Sequence, residues 1–223
     1  MLFDLRSPGR RMAVKGIYLA LAILLGGGLV LFGVGSGVDG GLFNAFSDSQ
    51  NQADDDAFVK RADAQAKKAA ADPTAANYAL LARYRVQAAQ FDDAQQAFTD
   101  DGKKQLAAAD VAWNRSLKLA GNSPDVRVAA VMQRAYDQPG LNQPKDGMKA
   151  MQIVLDDEKS PTAEQYVQLA YWAYLAKDDR MANLARGKAL ALASADDRER
   201  IKGALDSYKQ AAQEQAGTTT TGG

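Results

Sequence analysis

One short phrase recurs in the chain. Pro73-Thr74-Ala75, followed by Tyr78, Leu81 and Ala82, returns as Pro161-Thr162-Ala163, followed by Tyr166, Leu169 and Ala170. That is six identities over twelve aligned positions, 88 residues apart. A third start, Pro124-Asp125, falls between them with Val128, Val131 and Met132 in the same register. Proline has φ preset near the helical value and lacks the N–H that a first-turn residue leaves unsatisfied. A proline after Asp or Ser that opens an apolar-periodic run therefore marks a helix start. Behind each start comes a second helical segment with small residues where helices must pack closely: Ala109 with Trp113, Ala150 with Val154, Ala182 with Ala189. Self-similarity on this scale is the signature of stacked helical hairpins, none of which can bury its apolar face alone.

The rest of the chain agrees with an all-α fold. From residue 53 to 215 it is rich in Ala, Gln, Lys, Leu and Asp, and no stretch alternates like a strand. A domain over 53–216 is expected, with three hairpins between cap helices near 53–71 and 195–215, and a disordered tail over 217–223. An insertion around 91–102 stretches the first hairpin.

At these residues the chain resembles the tetratricopeptide repeat (TPR) family, whose unit has an aromatic, a Leu and a small residue in its first helix and small, aromatic, small in its second. Tyr166, Leu169, Ala170, Ala182 and Ala189 fall at the family's spacings; Arg186 stands where an aromatic is usual and Ser194 in place of the closing proline. The middle unit closes with Ala150, Val154 and Pro161. The alternative is an unrelated Ala-rich bundle. The resemblance implies an α-solenoid whose first helices line a concave protein-binding groove. Carried over, the groove comprises Ala79, Arg83 and Val86, then Ala129, Gln133 and Tyr136, then Val167, Tyr171 and Tyr174. Tyr and Arg are the residue types that anchor peptides. Core packing of Tyr171, Trp172 and Tyr174 is the competing reading, because large aromatics also fill helix interfaces.

Residues 17–34 carry no charge, and eleven of the eighteen are Leu, Ile, Val or Phe. As a helix the run is about 27 Å long against a hydrocarbon core of about 30 Å, just enough to span. Arg6, Arg10, Arg11 and Lys15 precede it and only acidic residues follow as far as Val59, so the positive-inside rule puts residues 1–16 in the cytoplasm. A cleavable signal peptide is the rival, but the run is long for one and ends in glycines instead of an Ala-x-Ala-like site. The expected product is a signal anchor that holds the domain outside the cytoplasm, in a bacterial cytoplasmic (inner) membrane. Ala22 and Gly26 form a small-xxx-small pair suited to association with another membrane helix. The Gly/Ser-rich linker 35–52 reads as a tether, and its island of Leu42, Phe43, Ala45 and Phe46 suits either the membrane interface or a docking contact.

The absence of Cys and His removes disulfides, thiolate nucleophiles, the usual zinc sites and His-dependent triads. The pairs Asp92-Asp93 and Asp100-Asp101 and the run Asp54-Asp55-Asp56 lack the glycine-punctuated alternation of a calcium loop. Basic and acidic residues, 27 of each, are interleaved in the soluble part, which does not describe a nucleic-acid stripe. Neither a cofactor nor a metal, a small-molecule substrate or an enzyme activity is expected. The layout also resembles membrane-anchored TPR proteins of actinobacteria and the adaptors that accompany the Sec translocon. The expectation is a single-pass adaptor binding protein or peptide segments, including secretory clients; the alternative is a scaffold component of an envelope complex.

Overall fold

The computed structural model describes residues 52–218. The basic segment 1–16 with Arg6, Arg10, Arg11 and Lys15, the span 17–34 with Ala22 and Gly26, and the tether 35–51 lie outside the described residues. No helix among the described residues is long and apolar enough to cross a membrane.

Eight helices follow one another: α1 Gln52–Ala71, α2 Ala75–Gln87, α3 Asp100–Ala120, α4 Val126–Tyr136, α5 Pro144–Asp157, α6 Ala163–Leu175, α7 Asp179–Leu192 and α8 Arg198–Thr218. The proline-marked starts open α2, α4 and α6, and each has a side-chain cap one residue past its proline. The Thr74 hydroxyl accepts from the Asn77 N–H at 3.3 Å and the Asp125 carboxylate from the Arg127 N–H at 3.0 Å. Thr162 and Gln165 cap each other's backbone reciprocally. Such caps satisfy N–H groups that the first turn leaves without partners. α8 continues through Gly217 and Thr218, so the tail expected over 217–223 begins in helix.

The helices pack as hairpins, α2 on α3, α4 on α5 and α6 on α7, with α2 and α3 also touching α4, and α5 touching α6. α1 covers α2 at one end, and α8 covers α6 and α7 at the other. This all-helical array is consistent with an α-solenoid. Alanines buried at the crossings, among them Ala82, Ala109, Ala150, Ala170, Ala182 and Ala189, let the axes approach. Trp113, Tyr136 and Trp172 supply the bulk, each at most 2% exposed. At one end Gln65 of α1 donates to the Asn77 carbonyl at 2.9 Å, and Arg85 of α2 meets Asp63 of α1 at 2.9 Å and Gln105 of α3 at 2.8 Å.

Close approach requires glycine at two helical positions among the described residues. At Gly147 of α5, a Cβ would collide with the six-membered ring of Trp172, so α5 and α6 meet through that ring laid on bare backbone. At Gly102 of α3, a Cβ would run into the Gln90 carbonyl.

The insertion corrects the expectation that no strand forms. β1 (Phe91–Asp92) pairs antiparallel with β2 (Ala97–Phe98), Phe91 opposite Phe98 and Asp92 opposite Ala97. The two rings meet edge to face at 5.1 Å, and the Asp92 carboxylate accepts from the Ala94 and Gln95 N–H groups at 2.9 and 3.1 Å to close the turn. Two residues per strand are too few to show a period of two, so sequence pattern has nothing to detect.

Candidate functional site

The face expected to bind partners is the one formed by the first helices α2, α4 and α6. Of its seven expected anchor residues, Val86, Gln133, Tyr136, Val167 and Tyr174 are buried, while Arg83 and Tyr171 are half-buried. Ala79 and Ala129 are buried as well. These side chains therefore stand in a largely closed seam. The physical reason is that the first helices approach closely enough for their facing side chains to bond one another.

Those bonds are specific. The Gln133 side-chain carbonyl of α4 accepts from Gln168 Nε2 at 2.9 Å and from Trp172 Nε1 at 3.3 Å, both on α6. The Tyr136 hydroxyl donates to Asp110 of α3 at 2.7 Å. The Tyr171 hydroxyl donates to Asp137, which ends α4, also at 2.7 Å. The Tyr171 ring meets Tyr208 of α8 at 5.1 Å, edge to face. Arg186 of α7 pairs with Asp206 of α8 at 2.8 Å. Arg186, the departure from the TPR pattern, thus ties α7 to α8. Tyr136 and Tyr171 each join one hairpin to its neighbour, and Tyr171 also meets the terminal helix.

Burial, with the facing carboxylate adding to it, pushes the Tyr136 and Tyr171 hydroxyls far above the usual phenol range, so both keep the proton they donate. Burial also raises the Asp137 carboxyl, against the opposing pull of its hydrogen bonds from Tyr171 and the Gln138 N–H.

No family model, curated protein or solved structure matches the chain. The site must be read from its own chemistry.

Among the described residues no group of three or more carboxylates gathers that would hold a metal ion. A cleft of about 320 Å³ opens where α6, α7 and α8 meet, between Pro161, Glu164, Leu192 and Asp197, and none of the expected groove residues lines it. Arg200 already bridges its two carboxylates, at 3.5 Å to Glu164 and 2.9 Å to Asp197. On the first-helix face, one group is left over. Arg83 forms no ion pair among the described residues, and its Nε is buried without a hydrogen-bond partner. A guanidinium of this kind favours an incoming anionic group, because its unmet donor costs free energy until it is satisfied.

Trp172, Gln168, Asp110, Asp137 and Tyr208 are the members of this network that sequence reasoning did not assign to the site. The run Tyr171-Trp172-Tyr174 signals aromatic packing there, but nothing in the local pattern pairs those rings with Gly147, Asp137 or Tyr208.

The Asp137 shift gives a pH prediction. Because its folded value lies above the unfolded one, the native state takes up a proton before the denatured state does as pH falls. Stability then rises on acidification from the folded value down to the ordinary carboxylate range, and is lost again as pH rises. Asp137→Asn keeps an acceptor for Tyr171 and removes the charge. The variant is expected to melt at or above the wild-type temperature at pH 7, with the difference shrinking toward pH 4. A parallel pair of melting curves across that range would show the shift to be without consequence.

Proposed function

We propose that this protein is a membrane-anchored, non-enzymatic TPR-like adaptor whose first-helix face binds protein segments on the extracytoplasmic side of a bacterial cytoplasmic membrane, near the translocon where secretory clients emerge. The observation that carries the reading is Arg83, a half-buried guanidinium with an unmet donor on a face whose other polar groups are already engaged with one another. The anionic group it favours is a carboxylate on a client segment. Support for the anchor is the uncharged run 17–34 behind Arg6, Arg10, Arg11 and Lys15.

Burial of five of the seven expected anchor residues favours a second reading, a scaffold component of an envelope complex. A photocrosslinker at Ala76, the exposed second residue of α2, separates the two. An adaptor gives transient adducts competed by acidic peptides, whereas a scaffold gives one stoichiometric partner. Arg83→Ala is expected to reduce the adducts about tenfold or more, as for an anchor residue. Undiminished crosslinking by a variant with native circular dichroism would remove Arg83 from the binding role.

A further inference from the structure

Four large apolar side chains stand exposed among the described residues: Val111 and Leu119 on α3, and Leu184 and Leu192 on α7. The α3 pair sits in a patterned face. Leu106, Ala109, Ala112, Trp113 and Ser116 are the buried side of α3, which packs on α2 and α4. Opposite them, at spacings of three and four residues, run Lys104, Ala107, Val111, Arg115 and Lys118, all exposed. Lys103 and Leu119 flank this stripe, and Val111 at its centre is 70% exposed.

Beyond the exposed Asp100 and Asp101 that open the helix, the charges of the stripe have one sign. Lys104 is held by Asp101 at 2.8 Å, but Lys103, Arg115 and Lys118 form no ion pair among the described residues. Asp110 faces other partners, accepting from the Tyr136 hydroxyl at 2.7 Å and from Asn114 at 2.8 Å. Attraction to the helix C-terminus accounts for Lys118 in the last turn, where the macrodipole favours a cation. It does not account for Lys103 or Arg115, nor for an uncovered valine between cations.

We infer that this outer face of α3 rests on the headgroup layer of an anionic lipid bilayer. Cations beside an apolar line suit a helix lying in the interface, where the ammonium and guanidinium groups reach lipid phosphates and the apolar side chains enter between headgroups. The inference rests on the reading of residues 17–34 as a membrane span. Given that span, the chain from Val34 to Gln52 reaches at most about 60 Å. A tether of that length holds α3 at high effective concentration near a bilayer, so a contact too weak to recruit a free protein is still populated. That delivery is why a lipid surface, among anionic surfaces, is the occupant.

The chain has no Cys, so one engineered thiol gives one label. The full chain carrying an environment-sensitive fluorophore at Val111→Cys is inserted into nanodiscs of phosphatidylcholine alone or mixed equally with phosphatidylglycerol, each doped with headgroup-nitroxide lipid. Quenching is expected in the anionic discs and not in the neutral ones. It should weaken with added salt, and docking should fall about fivefold for each cation removed by Arg115→Gln or Lys118→Gln. A chain that co-elutes with anionic discs but shows no quenching, or equal quenching in neutral discs, overturns the docking and leaves the span intact. Quenching at Leu184→Cys and not at Val111→Cys assigns the contact to α7 and overturns the α3 inference. Concentration-dependent emission shifts in detergent alone would place a second copy on this face, which also overturns it. Failure to co-elute with any disc overturns the span, and the docking with it.

Discussion

Truncating Trp172 to alanine is expected to cost about 3 to 5 kcal/mol, the range for a buried aromatic that leaves a cavity its neighbours cannot fill. The ring is 2% exposed, lies on the backbone at Gly147, and donates its indole N–H to Gln133 at 3.3 Å. Gln133 keeps Gln168 as a donor, so the loss is chiefly one of packing. The same contact makes a second prediction whose sign depends on background. In the wild type, Gly147→Ala drives a methyl into the ring, and overpacking of that kind costs about 1 to 3 kcal/mol. Once Trp172 is alanine the obstruction is gone, and Gly147→Ala should stabilise by about 0.5 to 1 kcal/mol through helix propensity alone. Denaturant titration of the four proteins in this double-mutant cycle decides the matter. An equal cost of Gly147→Ala in both backgrounds would mean that α5 and α6 do not meet through this ring.

How much of this was legible in the sequence differs from one level to the next. Helix starts were legible because a proline and a capping side chain act locally: Thr74, Asp125 and Thr162 bond N–H groups two or three residues on. The face of each first helix was legible as well, because positions four and three apart share a side. What spacing does not encode is how near the next helix comes. Gln133 and Tyr171 fall on the face that the repeat pattern assigns, yet the depth of Gln133 is set by Gln168 and Trp172 and that of Tyr171 by Asp137 and Tyr208, each distant in sequence from the residue it meets and brought in only by tertiary packing. The β1–β2 turn escaped for the opposite reason: it is local, but its strands are shorter than any period. Arg186 shows both effects. It breaks the family pattern by residue type and fits the structure because Asp206 of α8 is there to receive it.

Tyr136 provides the sharpest test of whether the first-helix face is seam or groove. It is 1% exposed, and its hydroxyl donates to Asp110 at 2.7 Å. Tyr136→Ala should cost about 3 to 5 kcal/mol. That is a large fraction of the 5 to 15 kcal/mol typical of a folded domain, so partial unfolding at 37 °C is expected. Tyr136→Phe isolates the hydroxyl. It retains the ring and removes one donor from Asp110, which keeps Asn114 at 2.8 Å and is itself only half-buried, so the expected cost is about 1 kcal/mol. The two variants should therefore differ by about 2 to 4 kcal/mol, most of Tyr136's contribution residing in its ring. A side chain lining an open groove behaves otherwise, since truncation at an exposed position changes stability by no more than about 0.5 kcal/mol. Thermal melts of both variants within about a degree of the wild type would reopen the face at α4, restore Tyr136 as a partner anchor, and leave Arg83 as one contact among several on that surface.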